Sequence, residues 1–358
     1  MRLSFISIAS TAIVGIQTAC FAVAKPTLYV FGDSLSDIGT FKQITLGLIP
    51  PPPYWEGRWC SGPIWAEYLS LLLGYNHYNK AIGGATTDNA DSTYLPSGSP
   101  IQIPSCQDQI NWFKFWNPLY HLTSTRSDDI ATLVIGHNDY FGTVSKLQKN
   151  STTPEAFSTM VSDTIVDQLN QLKNIGFQNI IVSNLAAIQY TPEAAIGKTQ
   201  ELARVTIGLI NQKVHDKATA WAKTAGLKRF YVADIAGFVA MSVKPTISNA
   251  LGLIDTTHAC LGGELLHFFQ DNNFAQSLIN FVTHLDEALM CKDPSVYYFF
   301  DPVHPAERVQ RLYGYFSYKV VNAWMKGQTY ELNEANLLSI IGEYKLNSPA
   351  PKPAMLYS

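Results

Sequence analysis

This sequence of 358 residues contains three side chains of the types needed to cleave an ester through a covalent intermediate. The serine is far from the other two in the sequence. Ser34 follows an apolar run that ends in Gly32-Asp33, and Asp301 precedes His304 by three residues. A serine attacks a carbonyl carbon when a histidine accepts its proton, and an aspartate that accepts the second N–H of the histidine fixes the tautomer. We predict Ser34 as the nucleophile, His304 as the base and Asp301 as the group that orients the base.

A short buried strand must position Ser34. Leu28 to Phe31 forms an apolar run, and Gly32 then lets the chain turn sharply toward a helix. Ser34 is therefore expected at the carboxyl end of a strand, where open α/β sheets bind their ligands. Asp33 is expected to hold the turn and Asp37 to begin the helix, while an ordinary helix cap is the alternative interpretation of this stretch.

The rest of the chain alternates between predicted strands and predicted helices. Strands are predicted at 28–31, 78–82, 130–135, 179–182 and 230–233, and helices at 63–73, 105–116, 154–175, 192–225 and 305–326. Such alternation is typical of a parallel sheet covered on both faces. We predict an α/β/α sandwich with a central, mostly parallel five-stranded, flavodoxin-like sheet. The domain is expected at 25–330, with an irregular part at about 240–296 and a C-terminal extension at 331–358.

The first 24 residues resemble an export signal. Arg2 supplies a positive start, an apolar segment follows, and Ala22-Val23-Ala24 fits the small-x-small cleavage pattern. A lipid anchor on Cys20 is the alternative. We expect a secreted protein whose formal net charge changes from −3 to −4 when Arg2 is removed. Because clustered Lys and Arg are missing from the sequence, no nucleic-acid partner is predicted.

Four cysteines follow the export signal: Cys60, Cys106, Cys260 and Cys291. An even number in an oxidising compartment favours two disulfides, among three connectivities. We predict pairing of nearest neighbours, Cys60 with Cys106 and Cys260 with Cys291. Zinc binding is the competing use, but no cysteine pair has the spacing of zinc ligands. No metal or other cofactor is expected.

Four motifs follow one another along the chain: Gly32-Asp33-Ser34-Leu35, Asn79-x-Ala81-x-Gly83-Gly84, Gly136-x-Asn138-Asp139 and Asp301-x-x-His304. Their ordered set resembles the SGNH (GDSL) hydrolase family from about residue 27 to 326. The resemblance implies an oxyanion hole formed by the backbone N–H groups of Ser34 and Gly84 and the side chain of Asn138. His137, beside Asn138, is assigned no role.

Further segments narrow the resemblance. The stretch Pro52-Pro53-Tyr54-Trp55-Glu56-Gly57-Arg58-Trp59 and the motif Cys260-x-Gly262-Gly263 are similar to secreted bacterial phospholipases and lysophospholipases, including glycerophospholipid:cholesterol acyltransferases. The implied substrates are phospholipids or lysophospholipids, with water or cholesterol as acyl acceptor and transient contact with a membrane surface. A carbohydrate O-acetylesterase and a lipid-binding protein without catalysis are the alternatives. The aromatics of the Pro-rich stretch line a cleft in one interpretation and belong to the core in the other.

The segment between Cys260 and Cys291 is more apolar than an ordinary surface loop. We hypothesise that it forms a lid beside the catalytic loop, which opens at a lipid surface or after a cut by an activating protease. The resemblance to Legionella enzymes implies the same activation. A purely structural disulfide is the alternative.

Overall fold

The computed structural model describes residues 25–90, 102–116, 127–263, 280, 284 and 289–350. Its strands are β1 (Thr27–Gly32), β2 (Asn76–Asn79), β3 (Ile130–Val134), β4 (Asn179–Ser183), β5 (Arg229–Ala233), β6 (Asp255–Ala259), β7 (Leu261–Gly262), β8 (Leu289–Met290) and β9 (Tyr297–Phe299). Its helices are α1 (Thr40–Ile44), α2 (Trp65–Leu73), α3 (Cys106–Trp116), α4 (His137–Gln148), α5 (Pro154–Ile175), α6 (Pro192–Ile196), α7 (Gln200–Ala225), α8 (Ile235–Ser242), α9 (Pro245–Ala250), α10 (Glu307–Met325) and α11 (Glu334–Tyr344). The predicted export signal, residues 1–24, lies outside the described residues.

The five predicted strands form one sheet in the order β2-β1-β3-β4-β5, and all its strand pairs are parallel. Strands β1, β3 and β4 are buried along their whole length, which explains why their sequences are continuous apolar runs rather than alternating ones. The strand order reverses between β1 and β3. Their carboxyl ends therefore flank the crevice in which such sheets bind ligands.

Helices cover both faces of the sheet, as predicted. Along β1, Tyr29 and Phe31 pack into the core cluster that also contains α5 and α7. Leu28 and Val30 point the other way and pack with Trp65 of α2 in a second cluster, which α10 completes. Successive side chains of a strand point to opposite faces, so one apolar strand supplies both cores. The fold is an α/β/α sandwich.

Two parts of the chain differ from the predictions. Strand β2 begins at Asn76 and ends at Asn79, earlier than the predicted 78–82. The stretch predicted to be irregular contains α8, α9 and the parallel pair of β6 with β9. Strand β9 of this pair leads directly into the loop that contains Asp301. Beyond it, α11 buries Leu337 and Ile340 in a third core cluster together with Leu312 of α10.

The cysteine prediction is correct for one pair and wrong for the other. Cys260 and Cys291 form a disulfide at the base of the β7–β8 ladder. Cys60 and Cys106 are both free and buried. The Cys60 thiol contacts the carbonyl oxygen of Pro305, whereas Cys106 packs in the core at the start of α3, so the two serve as small apolar residues instead of a bridge. Burial raises the pKa of both thiols.

The predicted lid itself, residues 264–279, 281–283 and 285–288, lies outside the described residues. Among the helices that are described, none has both the length and the apolarity to cross a membrane.

Candidate active site

The turn that presents Ser34 is held from two sides. The Gly32 N–H donates to Gln109 Oε1 (2.9 Å) and its carbonyl oxygen accepts from Gln109 Nε2 (2.8 Å). Asp33 donates its backbone N–H to the carbonyl oxygen of Val134 (3.3 Å), and its carboxylate accepts the Leu35 N–H (3.1 Å). A Cβ on Gly32 would stand 2.4 Å from the Val134 oxygen, so only glycine permits this approach of β1 to β3.

Asp37 and Asn79 tie the Ser34 turn to the loop that contains Gly84. Asp37 accepts hydrogen bonds from the N–H groups that open α1 and, on its Oδ2, from Gly83 N (2.8 Å). Asn79 donates to the Ser36 carbonyl oxygen (2.8 Å). Burial raises the pKa of Asp37 to about 6, although these backbone hydrogen bonds act to lower it. The two loops are therefore fixed against each other.

Gly84 adopts a left-handed conformation with φ of +80°. This backbone conformation favours glycine, and a Cβ at this position would also displace the end of the Ile103 side chain, whose Cδ1 would stand 2.8 Å away. Within the described part of the chain, neither the Ser34 N–H nor the Gly84 N–H donates to a protein acceptor. Both N–H groups are thus free to bind an oxygen of a substrate.

Asn138 lies in the first turn of α4, immediately after β3. One N–H of its side-chain amide donates to the carbonyl oxygen of Ala85 (2.9 Å), which holds the amide against the Gly84 loop. An amide nitrogen carries two N–H bonds, so a second donor remains. The next residue, Asp139, accepts from the backbone and hydroxyl of Thr87 and fastens the same loop to α4. Burial raises the pKa of Asp139 to about 6.

Asp301 and His304 lie in the loop between β9 and α10, and Ser34 lies directly opposite. His304 Nε2 is 2.7 Å from Ser34 Oγ, and His304 Nδ1 is 2.7 Å from Asp301 Oδ2. The other carboxylate oxygen of Asp301 accepts the N–H groups of Val303 (2.9 Å) and His304 (2.8 Å). This places a proton acceptor on the serine hydroxyl and a carboxylate behind the acceptor, although the serine and the histidine are 270 positions apart in the sequence.

Asp301 remains ionised in a fully buried position. Burial acts to raise its pKa, but the charge of His304 and the hydrogen bonds from His304, Tyr54 and Val303 together hold the pKa below its ordinary value. The Tyr54 hydroxyl donates to Asp301 Oδ2 at 2.6 Å. The Pro-rich stretch therefore contributes a buried tyrosine to this site, and Trp59 of the same stretch packs against the imidazole of His304 with 5.4 Å between ring centroids.

His137 joins the Ser34 turn to the strand ends. Its Nδ1 is 2.8 Å from Asp33 Oδ2, and its Nε2 accepts the N–H of Ala186 at 2.9 Å. A backbone N–H can only donate, so Nε2 carries no proton and the imidazole is the neutral tautomer with its hydrogen on Nδ1. The histidine supports the aspartate beside the nucleophile.

A largely apolar cavity lies beside the catalytic residues and has a volume of about 920 Å³, including its opening to solvent. Ser34, Gly84, Asn138 and His304 line it together with Leu35, Trp65, Val134, Phe141, Ala187, Ile188, Ile235, Phe238, Val239, Phe299, Val303, Val309 and Tyr313. The cavity can accept an apolar chain next to the serine hydroxyl.

The structure brings together all five residues that the sequence predicts for catalysis and the oxyanion hole. Within the described residues, no group of three or more His, Cys, Asp or Glu side chains is arranged to hold a metal ion. Sequence reasoning missed Tyr54, Gln109 and His137. His137 and Tyr54 each had a signal, since His137 stands inside the Asn138 motif and Tyr54 stands in the stretch 52–59. Gln109 reaches the site from a segment without a matching motif.

Two solved structures have limited similarity to this chain. One is LAE5, an alpha/beta hydrolase enzyme from the metagenome of Lake Arreo, with 14% identity, a TM-score of 0.34 and coverage of 72% of this chain and 97% of that chain. The other is an acetyl xylan esterase from Geobacillus stearothermophilus, with 14% identity, a TM-score of 0.31 and coverage of 72% and 94%. Similarity at this level supports no inference about activity.

Sequence comparisons identify the family. The chain is 29% identical over 275 residues to a phosphatidylcholine-sterol acyltransferase of Aeromonas hydrophila. The aligned region covers 74% of this chain and 73% of that protein. It is 23% identical over 287 residues to a thermolabile hemolysin of Vibrio parahaemolyticus, of which it covers 60%. The family model described as GDSL-like lipase/acylhydrolase matches residues 28–314. The chain therefore belongs to the GDSL-like lipase/acylhydrolase, or SGNH hydrolase, family.

Proposed function

We propose that the protein is a secreted serine esterase that hydrolyses acyl esters of phospholipids or lysophospholipids through an acyl-enzyme. Ser34 is the nucleophile, His304 the base and Asp301 the group that orients the base. The observation that carries the proposal is the chain of two 2.7 Å contacts from Ser34 Oγ through the imidazole to Asp301, at the edge of an apolar cavity.

The geometry supports a two-step reaction. Ser34 Oγ bonds to the ester carbonyl carbon while its proton moves to His304 Nε2, and the carbonyl oxygen takes up the negative charge. The N–H groups of Ser34 and Gly84 and the second amide N–H of Asn138 are the proposed donors to that oxygen. The imidazolium returns the proton to the leaving alcohol as the carbon–oxygen bond breaks. Water then attacks the acylated serine by the same route.

The lining of the cavity favours a long acyl chain over an acetyl group. Besides the polar residues of the site, the walls are formed by aliphatic and aromatic side chains, which gain free energy by burying methylene groups. An acetylated carbohydrate would leave most of this surface without contact. A lipid-binding protein without catalysis would have no use for the contact between Ser34 and His304.

Covalent labelling combined with product analysis tests the proposal. A fluorophosphonate probe is expected to add to Ser34 of the native protein, and lysophosphatidylcholine is expected to yield free fatty acid by mass spectrometry. Ser34→Ala and His304→Ala should each lower the rate by about 10³-fold or more. Ser151→Ala, which removes an exposed serine hydroxyl beyond the end of α4, is the matched control and should still be labelled on Ser34. Wild-type turnover by either of the first two variants would refute the assignment.

Acyl transfer to a sterol is a second candidate, which the similarity to the Aeromonas acyltransferase favours. Transfer requires only that an alcohol replace water at the acylated Ser34. Incubation of lysophosphatidylcholine with and without cholesterol separates the two functions: a transferase forms cholesteryl ester, and a hydrolase forms fatty acid alone in both reactions.

We also propose export, transient contact with a lipid surface and activation by a protease that cuts between Cys260 and Cys291. The disulfide supports a position outside the reducing cytosol. We expect the protein found in the culture medium to begin at Lys25. Its rate of lipid hydrolysis should rise after a cut within 264–288. Equal rates before and after the cut would contradict the activation step.

A further inference from the structure

A second cavity lies next to the first one, on the same face of the sheet. It has a volume of about 490 Å³, including its opening to solvent, and lies beneath α10. Thr132 and Ser183 are among the residues that line the second cavity and not the first. Trp65, Val134 and Tyr313 line both cavities. These three side chains are the partition between the cavities. The first cavity could therefore extend into the second one if the partition were opened.

The three residues of the partition differ in how they are held. Trp65 donates its indole N–H to Ser36 Oγ (3.2 Å), and the Val134 carbonyl oxygen accepts the N–H of Asp33 (3.3 Å), so both support the turn that carries Ser34. Tyr313 has no such tie. It stands on α10, with its ring 5.7 Å from that of Trp65 and 4.8 Å from that of Phe238, measured between ring centroids. Within the described residues, Tyr313 thus meets the Ser34 turn only through the ring of Trp65 and makes no hydrogen bond to that turn.

Resting on the proposed esterase function, we propose that Tyr313 ends the acyl-binding cavity and sets the longest acyl chain that the enzyme accepts. The second cavity is the space that a longer chain enters when this ring is removed. A chain that fits the first cavity gains about fourfold in binding for each methylene it buries. A carbon beyond the ring of Tyr313 has no space and gains nothing. The resulting limit on acyl length is a property of this one side chain.

The test compares acyl-length profiles of Tyr313→Ala and wild type. A mixture of p-nitrophenyl esters from acetate to palmitate, held in one detergent micelle, gives relative kcat/KM values from the fatty acids released, and these values do not depend on a phospholipid head group. For esters longer than the wild-type optimum, Tyr313→Ala should raise kcat/KM relative to that optimum by at least about tenfold, the gain from roughly two further buried methylenes. Tyr313→Leu should move the profile in the same direction and serves as the second variant if the alanine protein does not fold.

Two further variants make the result specific. Tyr315→Ala removes the same side chain two residues further along α10, where the ring packs on Tyr344 outside both cavities, and should leave the profile at the wild-type length. Ser183→Phe fills the second cavity, and added to Tyr313→Ala it should restore the wild-type limit. Ser183 Oγ has no hydrogen-bond partner within the described residues, so this change breaks no bond there.

The outcomes separate this proposal from the function on which it rests. If wild type releases no fatty acid from any ester, the esterase function falls and the inference falls with it. If wild type is active and folded Tyr313 variants keep its length profile, only the inference is overturned. A longer profile that Ser183→Phe does not reverse would also overturn it, because the extra chain would then lie elsewhere.

Discussion

Tyr54 donates its hydroxyl hydrogen to Asp301 Oδ2 at 2.6 Å, on the same oxygen that His304 Nδ1 contacts at 2.7 Å. Burial, followed by the charge of Asp301, holds the pKa of Tyr54 well above its usual value, so the phenol stays protonated and remains a donor. Two donors on one oxygen fix the carboxylate in the orientation that the imidazole requires. We infer that Tyr54 is a positioning residue for the base.

Tyr54→Phe should lower kcat about 10- to 100-fold and leave KM nearly unchanged. A hydrogen bond to a charged group is worth about 1.5–3 kcal/mol, which corresponds to this range in rate. The phenylalanine ring keeps the edge-to-face packing on Trp59 and Phe300, so the variant should remain folded, with a melting temperature lowered by the loss of the buried hydrogen bond. Steady-state kinetics on a soluble ester check the prediction. A higher KM with unchanged kcat would show that Tyr54 contacts substrate instead.

Asn138→Ala should lower kcat by about 10² to 10³, the usual effect of one lost oxyanion donor. The side chain also holds the carbonyl oxygen of Ala85 at 2.9 Å, so part of the loss could come from a displaced Gly84 loop. Fluorophosphonate labelling separates the two causes, because a displaced loop also alters access to Ser34. Normal labelling saturation with reduced kcat supports the oxyanion role, and a change in KM alone would make Asn138 a binding residue.

The strands that could be predicted from the sequence are those whose burial left a continuous apolar run. β3 and β4 are buried on both faces, and their predicted bounds agree with the structure to within a residue. β2 was placed too late because it is an edge strand with polar, partly exposed residues such as Asn76 and His77. Its hydrogen bonds come from the neighbouring strand, and its own residues carry little periodicity.

The residues of the candidate site also fall into those that could be predicted from the sequence and those that could not. Ser34, Asp301 and His304 could be predicted because their chemistry depends on residue type and on short local motifs. Tyr54 reaches Asp301 across 247 positions through one side-chain hydrogen bond, and Gln109 reaches Gly32 across 77 positions through two. No local pattern in the sequence encodes these contacts. The Cys60–Cys106 prediction was wrong for a related reason, since a count of cysteines carries no information on where two sulfur atoms lie in the core.

Alkylation should therefore modify two of the four cysteines that follow the export signal. Under denaturing, non-reducing conditions, peptide mass spectrometry should show alkylated Cys60 and Cys106 and a cross-linked peptide that joins Cys260 to Cys291. Neither thiol should react in the native protein, because both are fully buried and burial raises their pKa. A cross-linked peptide that contains Cys60 and Cys106 would contradict the structure.

The buried carboxyl group of Glu193 makes the stability of the fold depend on pH. Glu193 is the second residue of α6. Its backbone N–H donates to the carbonyl oxygen of Pro302 (3.0 Å), which lies in the loop that contains Asp301 and His304. Its Oε2 accepts no hydrogen bond within the described residues. Burial raises the pKa of Glu193 from 4.5 to about 7. The folded protein therefore binds this proton more tightly than the unfolded chain does.

The sign of the effect follows from that difference. A group whose pKa is raised by folding contributes its full stability below the unfolded value, about pH 4.5, and loses the contribution as the pH rises to about 7. A difference of this size corresponds to about 3 kcal/mol. Asp37 and Asp139, whose pKa values are also raised, act in the same direction in every variant and cancel from a comparison with Glu193→Gln.

Relative to Glu193→Gln, the free energy of unfolding of wild type should fall by up to about 3 kcal/mol between pH 4.5 and pH 7.5. Glutamine has nearly the same shape and cannot ionise, so the variant lacks this term. Urea unfolding at several pH values, with equal m-values in both proteins, measures the difference. The exposed Glu331→Gln is the matched control and should follow wild type at every pH. Parallel curves for wild type and Glu193→Gln would contradict the prediction, because they would mean that the carboxyl group is solvated in the folded protein.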